Sequence, residues 1–418
     1  MRRLRQPFPV FSLFSSRFQT VTSPAVPTQP RHLAIPLGVH RPGYNPAPMK
    51  TIAILLLLTS ISIAQKPRAR DLGVPFDGNP GKFNAITDVA GVTVGHKTLI
   101  EGSDVRTGVT AVIPRAADLF DPVYAAWFTQ NGNGEMTGTT WVEESGFLDG
   151  PVLITNTHSV GVVRDAVIAW RLKHQPPKVV EDAWSLPVVA ETWDGWLNDI
   201  NGFHVKPEDA FAALDDAKSG PVMEGNVGGG TGMICNEFKG GIGTSSRVLD
   251  AKHGGYTIGV LVQCNYGLRP QLRIAGVPVG KEIPQFAAYQ QEAGSIIVVV
   301  ATDAPVIPTQ LKRIAKRVTD GLGRLGSTSG NGSGDIFMAF STANPHSYYG
   351  NKPATIQTMM NDDLSSLFEA TVQATEEAVV NALVAAEDMT GHKNHKVIAL
   401  PHDQLREVLK KYNRLATQ

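Results

Sequence analysis

The chain has 418 residues, and its 38 lysines and arginines balance 38 aspartates and glutamates, so the formal net charge is zero. This balance argues against a nucleic-acid-binding protein, which needs a basic face. Hydrophobic residues make up 42% of the chain, enough for a sizeable core, which excludes wholesale disorder. The two cysteines, Cys235 and Cys264, are too few for a disulfide scaffold or a cysteine-rich zinc site.

The first 65 residues contain six arginines and Lys50 but no acidic residue. Within them, Met49-Lys50 precedes the apolar run 52–58 and small residues that end at Ala64. A positive start, a short apolar stretch and small residues are typical of a secretory signal peptide. We therefore predict a signal peptide at 49–65, secretion or export to a bacterial periplasm, and no membrane span once the signal is removed. A buried N-terminal strand is the weaker alternative.

Residues 1–48 hold nine prolines and no acid. Since a signal peptide begins at its own methionine, either Met1 is an upstream start codon chosen in error or 1–48 is an arginine-rich transit peptide. Both interpretations predict that this extension is absent from the mature protein.

From Asp71 onward the apolar pattern predicts strands at 92–94, 109–113, 152–155, 186–190 and 258–263, and helices at 160–173 and 207–217. The run 295–302 is apolar on both faces, as expected of a central strand. Helical spacing at 311–322, a strand at 335–341, a long helix at 364–389 and a strand at 396–400 follow. Strands mixed with long helices in this order predict an α/β layered sandwich.

Most standard catalytic signatures are absent from the sequence, including the His-Glu-x-x-His zinc motif and the G-x-S-x-G nucleophile elbow. The run 228–233 looks like a dinucleotide loop but lacks the last glycine of G-x-G-x-x-G, so a flexible structural loop is the better interpretation. His96 and His158 follow strand-like segments and could act as bases, although a lone histidine is more often a satisfied polar residue. No metal and no cofactor are expected.

What remains is a serine that opens an apolar strand directly after a glycine, Gly294-Ser295. Its hydroxyl could attack the preceding carbonyl, giving an N→O acyl shift and then cleavage of the chain. The new Ser295 would hold a nucleophilic hydroxyl and an α-amine, whose ordinary pKa of about 7.7–8.0 suits a base near neutral pH. By itself the dipeptide is a weak signal, because an ordinary strand start explains it equally well.

Eight segments, in order over nearly all of 71–418, resemble the DmpA-type aminopeptidases, the family of L-aminopeptidase/D-amidase-esterases and β-peptidyl aminopeptidases. Each segment alone is weak, but together they are highly specific. The segments are NAITDVAGVTVGH at 84–96, RTGVT at 106–110, NGNGEMTG at 131–138, GGGTGM at 228–233, GGIGTSSR at 240–247, QCNYG at 263–267, GSIIVVVATD at 294–303 and GSGD at 332–335.

The resemblance implies an αββα sandwich, a single domain built from two chains that self-cleavage at Gly294–Ser295 produces. These are an α chain, 66–294, and a β chain, 295–418. It also implies a homo-oligomer, a tetramer of αβ units.

The family's catalytic residues carry over by their motifs. Ser295 matches the nucleophile, Ser333 a serine that relays or binds its amine, and Asp335 an acid that orients it, where some relatives carry glutamate. Asn265 matches the donor that stabilises the oxyanion. Without the resemblance, the segment 329–334 would be taken for a flexible turn and Asn265 for a turn residue.

Two further residues are implied in substrate binding. Glu191 matches the acid that pairs with the substrate's free amine, although a solvated carboxylate at a strand end is an equally good interpretation. Trp193 departs from similar relatives, which tend to carry tyrosine. Because an indole cannot accept a hydrogen bond as a phenol can, a changed rate or substrate preference is expected.

Two functions compete on this evidence. The first is an exported, self-processed serine aminopeptidase that removes the N-terminal residue from short peptides, amino-acid amides or esters, or a related amide-oligomer hydrolase. The second is a catalytically inactive periplasmic binding relative. An acetyltransferase with related self-cleavage is a third, but that family usually uses threonine. Retention of Ser295, Asn265, Ser333 and an acid at 335 favours the first. The sequence leaves open whether α-, β- or D-residues are preferred, and whether the two cysteines pair or stay as buried thiols.

Self-cleavage predicts two fragments without added protease, one ending at Gly294 and one beginning at Ser295. A denaturing gel followed by Edman sequencing should give Ser-Ile-Ile-Val for the smaller band. The larger band should begin just after Ala64 if the signal peptide is removed. A single intact band from active enzyme would contradict the N-terminal-nucleophile mechanism.

Overall fold

The computed structural model describes residues 66–174, 184–285, 288 and 294–416. The predicted extension 1–48 and signal peptide 49–65 lie outside the described residues. The strands are β1 (Thr93–Glu101), β2 (Val105–Ile113), β3 (Val123–Gly132), β4 (Phe147–Leu148), β5 (Val152–Asn156), β6 (Val188–Thr192), β7 (Ile234–Cys235), β8 (Phe238–Lys239), β9 (Gly241–Val248), β10 (Thr257–Asn265), β11 (Ser295–Thr302), β12 (Gly334–Ser341), β13 (Met389–Thr390) and β14 (Lys396–Val397). The helices are α1 (Thr139–Ser145), α2 (Val160–His174), α3 (Pro207–Asp215), α4 (Val279–Glu282), α5 (Pro308–Arg324), α6 (Ser365–Val384) and α7 (His402–Lys411).

Two mixed sheets form the centre of the molecule. A four-stranded sheet has the order β1-β2-β5-β6, and a six-stranded sheet has the order β4-β3-β12-β11-β10-β9. The pairs β5/β6 and β11/β12 are parallel, and the other neighbours in these two sheets are antiparallel. The two-residue strands β7/β8 and β13/β14 form separate small hairpins.

The two sheets pack face to face, and helices cover the outer face of each. Between them lies a shared apolar core, to which Ile154 and Ala190 contribute from the smaller sheet and Ile297 and Met338 from the larger. Helices α2 and α3 pack on the smaller sheet, and α5 and α6 on the larger. This arrangement is the predicted αββα sandwich. It also explains why the sequence of β11 is apolar on both faces, since all eight of its residues are buried.

Most predicted elements are confirmed, with shifted ends. The strand at 295–302 and the helices at 160–173, 207–217 and 311–322 correspond to β11, α2, α3 and α5. The long helix ends at Val384 rather than at 389, and the last strand spans two residues rather than five. The pattern does not indicate β9, because its glycines and serines are poor strand formers that tertiary packing nevertheless holds in the sheet. Within the described segments, no helix combines the length and apolarity needed to cross a membrane.

The glycine run at 228–230 corrects one expectation. It is not a flexible loop but a buried turn between the sheets. A Cβ placed on Gly229 would lie 2.2 Å from Gln263 Oε1 and 2.6 Å from the carbonyl oxygen of Ile154. The glycines are therefore explained by close packing, since a side chain has no room there.

A buried ionic cluster ties the N-terminal segment and β9 to α6. Glu377 pairs with Arg247 at 2.7 Å and with Arg70 at 2.8 Å, and the Asn84 amide donates to it at 2.6 Å. Burial opposes the charged form of Glu377, but the hydrogen bond from Arg70 and the charges of Arg247 and Arg70 outweigh it and lower its pKa. The ion pairs of Glu377 with Arg247 and Arg70 therefore stabilise the fold only while the Glu377 carboxylate is ionised.

Glu377→Ala should lower the free energy of unfolding by about 3–5 kcal/mol, because it leaves the buried Arg247 without its counter-ion. In the wild type this contribution is present above the ordinary glutamate pKa of 4.5 and is lost as the pH falls through the lowered value in the folded state. Urea unfolding at several pH values measures both effects.

The neighbouring Glu376, also on α6, provides the control, since it pairs with the more exposed Arg324 at the end of α5. Glu376→Gln should cost less than about 1 kcal/mol. Equal losses for the two variants would show that the buried cluster is not the stabilising feature.

Candidate active site

The predicted catalytic residues meet where three neighbouring strands of the larger sheet begin or end. Ser295 is the first residue of β11, and its register partners are Asn265, the last residue of β10, and Gly334, the first of β12. Ser333 directly precedes β12, and Asp335 follows Gly334. Register therefore places all four predicted catalytic side chains at one end of the sheet.

Ser295 lies at the wall of a cavity of about 370 Å³. The backbone N–H of Gly334 donates to Ser295 Oγ at 3.1 Å, which holds the hydroxyl oxygen in place. The residues lining the cavity are Asn133, Gly134, Glu135, Thr157, Glu191, Trp193, Gly294, Ser295 and Gly332. The cavity thus joins the predicted cleavage site to both predicted substrate-binding residues, Glu191 and Trp193.

Ser333 and Asp335 form a buried pair beside the nucleophile. The Ser333 hydroxyl donates to Asp335 Oδ1 at 2.5 Å, and neither residue is among those lining the cavity in the described part of the chain. Burial raises the pKa of Asp335, and hydrogen bonds from Ser333 and Ser329 oppose this rise. A carboxylate whose charge is this poorly solvated is suited to orient a nearby amine.

The side chain of Asn265 is fixed at both ends. Its Oδ1 accepts a hydrogen bond from the Ile234 backbone N–H at 2.7 Å, and its Nδ2 donates to the Trp193 carbonyl oxygen at 2.9 Å. An amide nitrogen carries two N–H donors, so one remains for another acceptor. The orientation of this donor is therefore set before any substrate arrives.

Glu191 is not the solvated strand-end carboxylate that the alternative interpretation would require. It is buried, its Oε1 accepts from the Glu135 backbone N–H at 2.9 Å, and its Oε2 accepts from the Thr157 hydroxyl. Burial raises the pKa of Glu191, and these two hydrogen bonds oppose the rise. A buried carboxylate in a cavity is stabilised by an incoming cation. Trp193 is 38% exposed and lines the same cavity.

The two candidate histidines take no part in this arrangement. His96 is partly buried on β1, where the loss of solvation lowers its pKa to about 4 and its Nδ1 lies 3.0 Å from Thr110 Oγ1. His158 is exposed and stacks on Phe203. Neither lines the cavity described above.

Sequence reasoning assigned no role to several cavity residues. Asn133, Gly134 and Glu135 belong to the matched NGNGEMTG segment, which was the available signal, and the Glu135 amide holds Glu191. Thr157 had no such signal, because it meets Glu191 only through the parallel pairing of β5 with β6.

The open question of the cysteines is answered by the structure. Cys235 and Cys264 form a disulfide with their Cα atoms 5.5 Å apart. One group of described side chains, Asp118, Asp121 and His346, could bring three metal ligands together. Arg115 already pairs with Asp121 there, and none of these residues lines the cavity.

The chain resembles known proteins over most of its length. The family model described as Peptidase family S58 matches residues 84–397. The β-peptidyl aminopeptidase BapA of Sphingosinicella microcystinivorans is 56% identical over 385 residues, which cover 86% of this chain and 96% of that protein. BapA of Sphingosinicella xenopeptidilytica is 48% identical over 386 residues, covering 87% of this chain and 96% of that protein.

Among solved structures, the L-aminopeptidase D-Ala-esterase/amidase of Ochrobactrum anthropi has a TM-score of 0.80 and 49% sequence identity. The match covers 84% of this chain and 100% of that one. That structure is described as a prototype for the serine aminopeptidases and as a new variant of the Ntn hydrolase fold.

The predicted cleavage site allows only glycine before Ser295. A Cβ on Gly294 would lie 1.9 Å from the Asn265 carbonyl oxygen and 3.0 Å from Tyr266 Cα, which are main-chain atoms at the end of β10 and just beyond it. Gly294→Ala should therefore displace the Gly294 carbonyl from the serine hydroxyl and slow self-cleavage by at least about 100-fold. The fraction of uncleaved chain on a denaturing gel, followed over time, measures the rate.

Gly323→Ala is the matched control, because a Cβ there meets nothing within 4 Å. This variant should cleave itself at the wild-type rate. Wild-type cleavage of Gly294→Ala would show that the close approach to β10 does not set the geometry of the bond.

Proposed function

The chain belongs to peptidase family S58, and from that premise we propose that it removes an N-terminal β-amino acid residue from short peptides and amides. It is an aminopeptidase with an N-terminal serine nucleophile, as the sequence resemblance predicted. The observation that carries the proposal is the shared cavity of Ser295 and Glu191, a nucleophile beside a buried carboxylate. The names of two relatives, both β-peptidyl aminopeptidases, support the β-residue.

Maturation begins with attack by Ser295 Oγ on the carbonyl carbon of Gly294. The C–N bond breaks as the C–O bond forms, so that an ester replaces the peptide bond and the Ser295 nitrogen gains a proton to become an amine. Water then hydrolyses the ester, leaving a carboxylate on Gly294 and a free hydroxyl on Ser295. The contact between Gly334 N–H and Ser295 Oγ supports this role by holding the hydroxyl in place.

Hydrolysis of a substrate repeats the attack on an outside carbonyl. The Ser295 α-amine takes the proton from Oγ as the oxygen attacks, and the resulting ammonium gives it to the departing amine. The acyl group now on Oγ is released by water, which the amine activates in turn. Ser333 and Asp335 support the ammonium by hydrogen bonding and charge. No histidine is needed for this cycle.

Stabilisation of the negative charge that develops on the substrate oxygen is assigned to the side-chain amide of Asn265. Its amide has one N–H bound to the Trp193 carbonyl, which leaves the second for the oxyanion. A donor that is already oriented needs no reorganisation when the charge appears, and such a donor typically contributes about 10²–10³ in rate.

Recognition of the substrate's amino terminus is assigned to Glu191. The Glu135 amide and the Thr157 hydroxyl fix both carboxylate oxygens, so the charge faces the cavity in a defined position. A substrate ammonium would offset the burial that raises the pKa of Glu191. A blocked amino terminus carries no positive charge to pair with Glu191. The enzyme would therefore act on free amino termini, as an aminopeptidase does, and not on internal peptide bonds.

Export through the signal at 49–65 and a tetramer of αβ units complete the proposal. The disulfide between Cys235 and Cys264 supports export, because disulfides persist in oxidising compartments. The two cleaved chains stay together because β11 and β12, from the β chain, lie between β10 and β3, from the α chain. The assembly rests on the family resemblance, and light scattering of the purified protein measures its mass.

The decisive experiment is a panel of β-alanyl, L-alanyl and D-alanyl p-nitroanilides. The β-alanyl compound should be hydrolysed with the highest kcat/KM, and its N-acetyl derivative should not be hydrolysed. Glu191→Gln should raise KM for the free-amine substrate by about 10-fold or more, since it removes the charge-assisted contact.

Glu144→Gln, an exposed acid on α1 that does not line the cavity, is the control and should leave KM unchanged. Preference for an L- or D-alanyl substrate would refute the β-residue assignment. Equal hydrolysis of the acetylated compound would remove Glu191 from amine recognition.

A further inference from the structure

The orientation of Asn265 depends on a small element that belongs to neither large sheet. Its Oδ1 is held by the N–H of Ile234, the first residue of the β7/β8 hairpin. If the side-chain amide turned over, Nδ2 would face that N–H donor and Oδ1 would face the Trp193 carbonyl oxygen. Both contacts would become repulsive, so the two partners together select one orientation.

The disulfide lies directly beside this contact and links its two strands, β7 and β10. Cys235 follows Ile234 and Cys264 precedes Asn265, so the covalent link joins the immediate neighbours of the two hydrogen-bonded residues. Both cysteines are fully buried. A bond at this place limits how far the Ile234 amide can move from the Asn265 side chain.

Other contacts of the β7/β8 hairpin also hold Ile234 in position. The buried Lys239 ammonium donates to the carbonyl oxygens of Gly230, Met233 and Gly240, at 3.3, 2.8 and 2.8 Å, and so closes the loop around Ile234. The Asn236 N–H donates to the Tyr266 carbonyl oxygen at 2.7 Å, one residue beyond Asn265. Lys239 fixes the shape of the hairpin, whereas the disulfide and the Asn236 contact fix its place on β10.

We propose that the Cys235–Cys264 disulfide is a positioning element for catalysis, which holds the Ile234 amide against Asn265 and thereby keeps the oxyanion donor in its active orientation. The inference rests on the proposed role of Asn265. Loss of the disulfide should lower kcat by about 10- to 100-fold, the range expected when a catalytic group is displaced by up to an ångström. KM should change little, because the proposed amine-binding residue, Glu191, lies on β6 in the other sheet.

The first measurement is a thiol titration of the denatured wild-type protein, which should find no free thiol. The second compares kcat and KM for β-alanyl p-nitroanilide in wild type and in the double variant Cys235→Ala, Cys264→Ala. Both are measured well below their melting temperatures on fully self-cleaved protein, verified by sequencing of the Ser295 terminus. Val318→Ala, a core change on α5, controls for lost stability and should keep the wild-type kcat.

The third measurement repeats the double cysteine change in an Asn265→Ala background. A disulfide that acts through Asn265 has nothing left to position there, so removing it should not lower kcat further. A purely structural disulfide would lower kcat by the same factor in both backgrounds. If the double variant does not fold, mature wild-type enzyme reduced with a phosphine and checked by thiol titration takes its place.

The outcomes separate the two levels of inference. Free thiols in the wild type, an unchanged kcat in the double variant, or equal effects in both backgrounds would each overturn the positioning role while leaving the proposed function intact. An unchanged kcat for Asn265→Ala alone would instead refute the assignment of Asn265 as the oxyanion donor.

Discussion

The register between β10, β11 and β12 is the constraint on which the site depends. It pairs Asn265 with Ser295 and Ser295 with Gly334, so the proposed nucleophile, the proposed oxyanion donor and the loop of Ser333 lie side by side. A shift of one residue in either pairing would turn the neighbouring side chains to the opposite face of the sheet. Packing of β11 opposes such a shift, because its side chains alternate between two separate apolar cores and would have to exchange places in both.

The four-stranded sheet contributes the acidic side of the cavity, which the six-stranded sheet does not provide. Glu191 lies on β6 and Thr157 follows β5, and both reach the cavity only because the two sheets pack face to face. The glycine turn at 228–230 fits between these sheets where no side chain could. Ser295 and Glu191, the proposed nucleophile and the proposed amine-binding residue, therefore come from different layers of the sandwich, and the cavity is the space between them.

Burial gives these polar groups their chemistry. The pKa values of Glu191 and Asp335 are raised because water cannot solvate their charge, and each is paired with hydroxyl or amide donors rather than with a basic residue. Both carboxylates are thus prepared for a cation that arrives from outside or is formed by cleavage. Glu377 has the opposite environment, since two arginines lower its pKa and make it a structural residue.

Much of the fold followed from apolar periodicity, because β11, α2 and α5 are long and bury a continuous face. Strand β9 did not, because its glycines and serines have little strand propensity and tertiary contacts, chiefly with α6 and β10, hold them in place. Single-residue signals were weaker still. The Gly294-Ser295 dipeptide indicated self-cleavage only together with the seven other matching segments. His96 and His158, which the sequence offered as possible bases, do not line the cavity.

The sequence by itself determined the family and the layered fold, and it predicted the site residues that the structure brings together at one end of the larger sheet. These features can be read from sequence because motif spacing and hydrophobic periodicity depend on the order of residues along the chain. Only the tertiary structure decided that Glu191 is buried rather than solvated, that the cysteines are bonded, and that Ile234 orients Asn265. Each of these depends on contacts between residues far apart in sequence, and their distances are set by how the two sheets and the hairpin pack.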